Sequence, residues 1–309
     1  MMLPQDMLTV IQGPGDDSSF RALVKKDYID SVLISDVGKK RQNNEDSCAG
    51  YLPQEEHLLQ SRGVLFAVAD GMGGASAGEY ASRMALEHTS ASYYEPLSSC
   101  AIPQQMKIAV EHANALIFHE SEHKSQYAGM GTTLSALVVL GNWAYIAQVG
   151  DSRVYLLRNN ERLLQITYDH SLVAEQIRSG LINETDAQNH ALKNLITRAV
   201  GINEDIEVDL FALGLKQGDT LLLCSDGLSN MVPDEVIQDC LRLDNLEETS
   251  ALLLNCALDA GGQDNITLIT VRIVDIPPQT KYQPGAKLSP PSKGSLFSRL
   301  FSSIRRRES

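Results

Sequence analysis

Between about Tyr28 and Ile276 short apolar runs alternate with helix-like stretches, and no linker interrupts them. The segment Gly63-Val-Leu-Phe-Ala-Val-Ala69 has the length and continuity of a buried strand. Gly78 to Tyr94 and Gln104 to His123 read as helices. Thr132 to Leu140 reads as a strand, with Trp143 to Val149 as its hairpin partner across Gly141-Asn142. Further strands are predicted at 154–157, 220–224 and 266–273, and further helices at 171–179, 233–241 and 246–260. Strands that cluster with hairpin turns between them favour antiparallel sheets with outer helices over a βαβ series.

The two ends differ from this body. Residues 1–27 are polar, with Gly13, Pro14 and Gly15 as breakers, and read as an N-terminal extension to a domain spanning 28–276. Prolines 277, 278, 284, 290 and 291, mixed with Ser, Lys and Gly, describe a flexible tail over 277–309. On a helix, Leu296, Phe297, Leu300, Phe301 and Ile304 would share one face, with Arg305, Arg306 and Arg307 beyond it. Such a tail is either a solvated polar extension or an amphipathic contact for an anionic membrane surface.

Composition narrows the class. With 43% hydrophobic and 21% charged residues, a chain of 309 residues buries a sizeable core without disulfide or metal staples. Metal, if bound, therefore serves chemistry. Five scattered cysteines without a CxxC fit a reducing compartment. Residues 1–17 lack a basic stretch followed by an apolar core, and no apolar run approaches the ~20 residues of a membrane helix. A cytoplasmic location is expected, with the inner membrane surface as a contact for the tail. The net charge of −13 excludes general nucleic-acid binding. Because Pro277 to Ser309 holds seven Lys/Arg against one acid, the body is more acidic than the total indicates. An acidic body that handles an anion needs local cations, which metal ions supply.

The acids punctuate the predicted strands. Asp70 closes the apolar run 64–69 and precedes Gly71-Met72-Gly73-Gly74. Asp226 follows Leu221-Leu-Leu-Cys-Ser225 and precedes Gly227, Asp264-Asn265 precedes the last strand, and Asp151 lies in Gly150-Asp-Ser-Arg153. Glu45 and Asp46 follow Arg41, Asn43 and Asn44. Any one of these alone reads as an ordinary Asp-Gly turn or a solvated loop acid. Acids converging from several strand ends would repel one another unless cations sat among them, and such oxygen-rich sites suit Mg²⁺ or Mn²⁺.

The ordered set resembles the metal-dependent PPM (PP2C-type) serine/threonine phosphatases, in a bacterial-type variant, over roughly residues 30–275. The resemblance is carried by Arg41-Gln-Asn-Asn-Glu-Asp46, Val68-Ala-Asp-Gly-Met-Gly-Gly74, Gly131-Thr-Thr133, Val149-Gly-Asp-Ser-Arg153, Asp169-His-Ser171, Leu195–Gly201, Ser225-Asp-Gly227 and Gly262-Gln-Asp-Asn265. It implies an α+β fold: a four-layer α/β/β/α sandwich of two antiparallel sheets flanked by helices. It implies hydrolysis of phosphoserine and phosphothreonine on proteins by metal-activated water, with no covalent intermediate and with two Mn²⁺ or Mg²⁺ ions. Carried over by position, Asp70 bridges both ions, Asp226 and Asp264 complete one site, and Glu45 and the Gly71 carbonyl serve the other. Asp46 holds metal-bound water, Arg41 anchors the phosphate through its planar fork, and Asp151 with Asp226 matches a weaker third site. The implied partners are phosphorylated proteins, with a Ser/Thr kinase acting in opposition.

One position departs from part of the family. Some members have a proton-donating His where Met72 stands, and Met72 cannot donate; bacterial-type members share the Met. His170, in Asp-His-Ser, reads as structural. The helical insertion from Ser171 onward corresponds to the family's flap beside the active site. Other readings fit less well, although two-metal chemistry alone leaves cleavage of other phosphoesters open. His119-Glu-Ser-Glu-His123 matches the HExxH zinc-protease pattern, but it sits near a polar helix end and lacks a third ligand. A scaffold or pseudophosphatase would be expected to lack core acids, whereas Glu45, Asp70, Asp226 and Asp264 are all present.

Overall fold

The computed structural model describes residues 7–15, 19–26, 28–95, 100–183 and 195–276, with isolated positions elsewhere (186, 192, 280, 281, 283 and 289). Among the described residues there are thirteen strands and seven α-helices. The first half contains β1 (Leu8–Gly13), β2 (Ser19–Lys26), β3 (Ile29–Asp36), β4 (Asp46–Pro53), α1 (Glu56–Arg62), β5 (Val64–Met72), α2 (Ala75–Tyr93), α3 (Ile102–His123) and β6 (Gly131–Thr132). Then come β7 (Leu134–Leu140), β8 (Trp143–Val149), β9 (Arg153–Leu157), β10 (Leu164–Gln165), α4 (Leu172–Arg178), β11 (Asp209–Gly214), β12 (Thr220–Cys224), α5 (Asp226–Ser229), α6 (Asp234–Leu241), α7 (Leu246–Asp259) and β13 (Ile266–Ile273).

Two sheets result. The first runs β1-β4-β5-β7-β8-β11, with β6 paired to the end of β5, and the second runs β10-β9-β12-β13-β3-β2. Alternation along β5 shows how they stack. Val64, Phe66 and Val68 join the cluster between the sheets, with Leu33, Val154, Leu221, Leu223 and Ile269 from the other side. Leu65, Ala67 and Ala69 point the opposite way, into a cluster with Ala81, Ala85, Met106 and Ala109 of α2 and α3. Both faces are buried, so the strand reads as an unbroken apolar run. The second sheet turns Val32, Ile34, Leu222 and Leu268 toward Ile237, Leu241, Leu253 and Ala257 of α6 and α7. This is the expected four-layer sandwich.

The expectation for residues 1–27 is corrected. β1 adds an edge strand to β4 in the first sheet, and β2 adds one to β3 in the second. Of the breakers, Gly13 ends β1, and Pro14 and Gly15 follow it in the connection to β2 rather than standing ahead of the fold. Phe20, Ala22 and Val24 are more buried than Ser19, Arg21, Leu23 and Lys25, the two-residue period of a half-covered edge strand. The flexible-tail expectation is also modified, because Thr280, Gln283 and Ser289 contact the first sheet. The helical face at 296–304 and most of the insertion tip between 184 and 194 lie outside the described residues. Among the described residues no helix is long and apolar enough to cross a membrane.

Candidate active site

Register brings the predicted acids to one end of the sandwich. β4 opens at Asp46 and β5 runs antiparallel to it, so Asp46 pairs with Asp70. β12 ends at Cys224, opposite Leu268 of β13, which leaves Asp226 and Asp264 at the same end. β8 ends at Val149, opposite Leu134, and Asp151 follows in the turn. Arg41 and Glu45 lie between β3 and β4, where the chain crosses from one sheet to the other.

Hydrogen bonds fix these pieces against one another. Asn265 accepts from the Glu45 amide at 2.8 Å through Oδ1 and donates through Nδ2 to the Val37 and Asn43 carbonyls, both at 3.0 Å. The connection carrying Arg41 and Glu45 is thereby tied to β13. Ser225 donates to Asp46 Oδ2 at 2.7 Å and accepts from the Thr267 amide at 3.0 Å. The Asp70 amide donates to Thr133 Oγ1 at 2.9 Å, and that hydroxyl lies 2.8 Å from Ser152 Oγ, beside Asp151. Two glycines permit the close packing. A Cβ at Gly71 would stand 2.6 Å from the Glu45 carbonyl oxygen, and one at Gly227 would stand 1.8 Å from that of Asn265.

The electrostatics are those of crowded carboxylates. Burial, then Asp226 and Asp169, pushes the Asp151 carboxyl up to about 8. Burial pushes Asp46 up to about 7 despite hydrogen bonds from Ser225 and Thr267, with Asp226 and Asp264 adding to the rise. Burial and Asp264 push Asp226 up to about 6, where its carboxyl approaches that of Asp70 within hydrogen-bond reach. Asp70 is raised well above the usual carboxylate range by burial and by Asp46, Asp226, Asp151 and Asp264. Burial also raises Glu45, although Arg41 opposes it. Arg41, half exposed, pairs with Asp264 at 2.9 Å.

These residues fit divalent cations. Asp151 Oδ1 and Asp226 Oδ1 are buried without a hydrogen-bond partner, a costly state for a carboxylate that a cation relieves. Among the described residues no three His, Cys, Asp or Glu side chains close into a ready-made cage. His119 and His123 stack at 4.0 Å at the end of α3, where His123 Nδ1 lies 2.8 Å from the His119 carbonyl; no third ligand joins them among the described residues.

The remaining predicted positions fall around this cleft. Met72 ends β5, paired with Gly131. His170 is fully buried and accepts from the Gly150 amide through Nδ1 at 3.1 Å, while Nε2 stands 3.4 Å from Asp209; it braces the Asp151 turn. Asp169 is held by a two-pronged contact from Arg153, at 2.7–3.1 Å. Ser171 caps α4, at the start of the insertion, by accepting from the Ala174 amide. Sequence reasoning assigned no role to Thr133, Ser152, Ser225 or Asn265. All four lie inside the quoted motif stretches, which was the available signal.

Comparison with known proteins agrees with this fold. A family model described as "Protein phosphatase 2C" matches residues 38–259. The serine/threonine phosphatase stp of Listeria welshimeri serovar 6b is 40% identical over 241 residues, 77% of this chain and 93% of that protein. The structure of the Streptococcus agalactiae serine/threonine phosphatase superposes with a TM-score of 0.73 at 34% identity, covering 80% of this chain and all of that one. The catalytic domain of the phosphatase PstP in complex with two manganese ions gives 0.69 at 35% identity, covering 80% and 99%. On the length of the match and the depth of the identity, the chain belongs to the protein phosphatase 2C family.

Proposed function

We propose that this cleft hydrolyses phosphoserine and phosphothreonine on proteins and that two divalent cations, Mn²⁺ or Mg²⁺, are its cofactors. Asp70, Asp226, Asp264, Glu45 and the Gly71 carbonyl, at one end of the two sheets, would hold these ions. The supporting observation is the pair of orphaned, buried oxygens on Asp151 and Asp226 among acids that raise one another's pKa. Bound there, the cations offset the charge of a phosphomonoester dianion and lower the pKa of water to near neutrality.

The chain's own residues do the rest. Asp46, anchored by Ser225, orients the attacking water from behind. Arg41 offers its planar guanidinium to two phosphoryl oxygens, exchanging Asp264 for the substrate. Met72 cannot protonate the departing alkoxide, so that proton is assigned to the Asp151 side of the cleft. Substrates are phosphorylated proteins, and the enzyme opposes a Ser/Thr kinase.

The deciding experiment is phosphate release from a phosphothreonine peptide with added Mn²⁺ or with EDTA, for the wild type and Asp226→Asn. Activity that needs metal and falls at least about a hundredfold in the variant is expected. Folded wild-type protein that is inactive with every metal would favour a scaffold role instead.

A further inference from the structure

Three residues beyond Ile276 are bound to the first sheet. Thr280 sits on the β7–β8 turn, where its amide donates to Asn142 Oδ1 at 3.0 Å and its carbonyl accepts from Trp143 Nε1 at 3.2 Å. The approach is close: a Cβ at Gly141 would stand 2.6 Å from the Thr280 side chain. The Gln283 amide donates to the Tyr145 hydroxyl at 3.1 Å, and its Oε1 accepts from the Ile102 amide at 3.0 Å. Ile102 opens α3, whose N-cap is Ala101, a residue with no side-chain acceptor. The helix thus takes its cap from a residue 181 positions away. Ser289 donates its amide to the Leu210 carbonyl at 2.6 Å, and its Oγ accepts from the Leu210 amide at 3.1 Å. Leu210 belongs to β11, the edge strand of the first sheet, so Ser289 occupies backbone groups that no neighbouring strand covers.

These contacts advance in chain order from the turn at Asn142, far from the acids, toward the active-site end. There Leu210 is next to Asp209, the residue facing His170. The docked residues lie beyond the stretch matched by the family model, whereas the surface that receives them lies within it.

We propose that the rim formed by the β7–β8 turn, Tyr145, the start of α3 and the β11 edge is a peptide-docking surface, and that its occupant is this chain's own C-terminal segment through Thr280, Gln283 and Ser289. Docking closes the β11 edge against pairing with another chain. It also fixes the root of the basic tail near the active-site end of the sheet. The surface presents the Leu210 amide and carbonyl at the strand edge to a serine, and the Ile102 amide at the helix start to a side-chain amide oxygen.

Amide hydrogen exchange on the full chain tests this. In the wild type the Leu210 and Ile102 amides are expected to be protected. In a Gln283→Ala, Ser289→Pro double variant both should exchange about tenfold faster, the scale of one lost hydrogen bond, while amides of β7 stay protected and report an intact fold. In a separate Thr280→Pro variant, emission from Trp143, the sole tryptophan, should shift to the red. Leu210 exchanging at the open-chain rate in the wild type would overturn the proposal, whatever the variants do. Unchanged Leu210 protection in the double variant would do the same.

Discussion

Ser225 donates its hydroxyl hydrogen to Asp46 across the seam between the two sheets, at 2.7 Å. The same oxygen accepts from the Thr267 amide, so Ser225→Ala removes a donor from a buried carboxylate and orphans a buried N–H. A loss of about 1–3 kcal/mol is expected, together with a roughly 10–100-fold rise in the Mn²⁺ concentration needed for half-maximal turnover, as supporting residues give. Thermal unfolding and Mn²⁺ titration of turnover check the two effects. Unchanged metal dependence would show that Asp46 needs no such anchor.

Asp151 tests the assignment made because of Met72. Asp151→Ala should slow phosphoprotein turnover by about 10²-fold, the lower range for a lost acid–base contribution. Substrates with a better leaving group, such as an aryl phosphate, should be less affected because they need no proton. Equal loss on both substrates, or full turnover on phosphoprotein, would place the proton source elsewhere.

Stability of the metal-free protein should fall as pH rises. Asp46, Asp151 and Asp226 are raised to about 7, 8 and 6 from an ordinary value of 3.8. A carboxyl raised in the folded state contributes stability that is fully present below about pH 4 and is lost as pH climbs through the folded values. The melting temperature in EDTA should therefore decline between about pH 5 and pH 8. Saturating Mn²⁺ should raise it more at pH 8 than at pH 5.5, by roughly 5–10 °C at a hundredfold excess over Kd. A flat EDTA profile that Asp226→Asn leaves unaltered would contradict this reading.

Far from the cleft, Arg158 grips Asp219 through Nε at 2.8 Å and Nη2 at 2.6 Å, and Asp219 is fully buried. Asp219 also accepts from the Lys216 amide at 2.8 Å, which holds the turn into β12. Removing one partner strands the other charge, so Asp219→Ala should cost about 3–5 kcal/mol. Activity per folded molecule should stay near wild type, since no active-site group is touched. Denaturant unfolding paired with active-site titration separates the two.

The chemistry was more legible than the frame. Acids at strand ends announce themselves because an apolar run stops abruptly at a charge, as at Ala69-Asp70 and Ser225-Asp226. Strands β7, β8, β12 and β13 were legible for the same reason: both faces are covered, so their apolar runs are continuous. β1 and β2 were not, because a half-exposed edge strand mixes polar residues into the pattern and here flanks Gly-Pro-Gly. β4, with Ser47, Cys48, Ala49 and Gly50, is wholly buried yet built of small side chains that carry little hydrophobic signal. The anchoring bonds depend on register between distant segments. Ser35 meets Thr267 across 232 positions, and spacing within one segment cannot reveal such a pair.

The acids divide between the layers: Asp46 and Asp70 belong to strands of the first sheet, Asp226 and Asp264 adjoin strands of the second, and Asp151 lies where the chain crosses from β8 to β9. Catalytic geometry is therefore a gauge of how one sheet lies over the other. A bulkier residue at Phe66 or Leu223, deep between the layers and remote from any phosphate, would spread the acids as effectively as mutating one of them. Inactivating changes scattered through that interior should thus share one signature, a raised metal requirement that extra Mn²⁺ corrects, and ion binding in turn should clamp the layers at this end like a rivet.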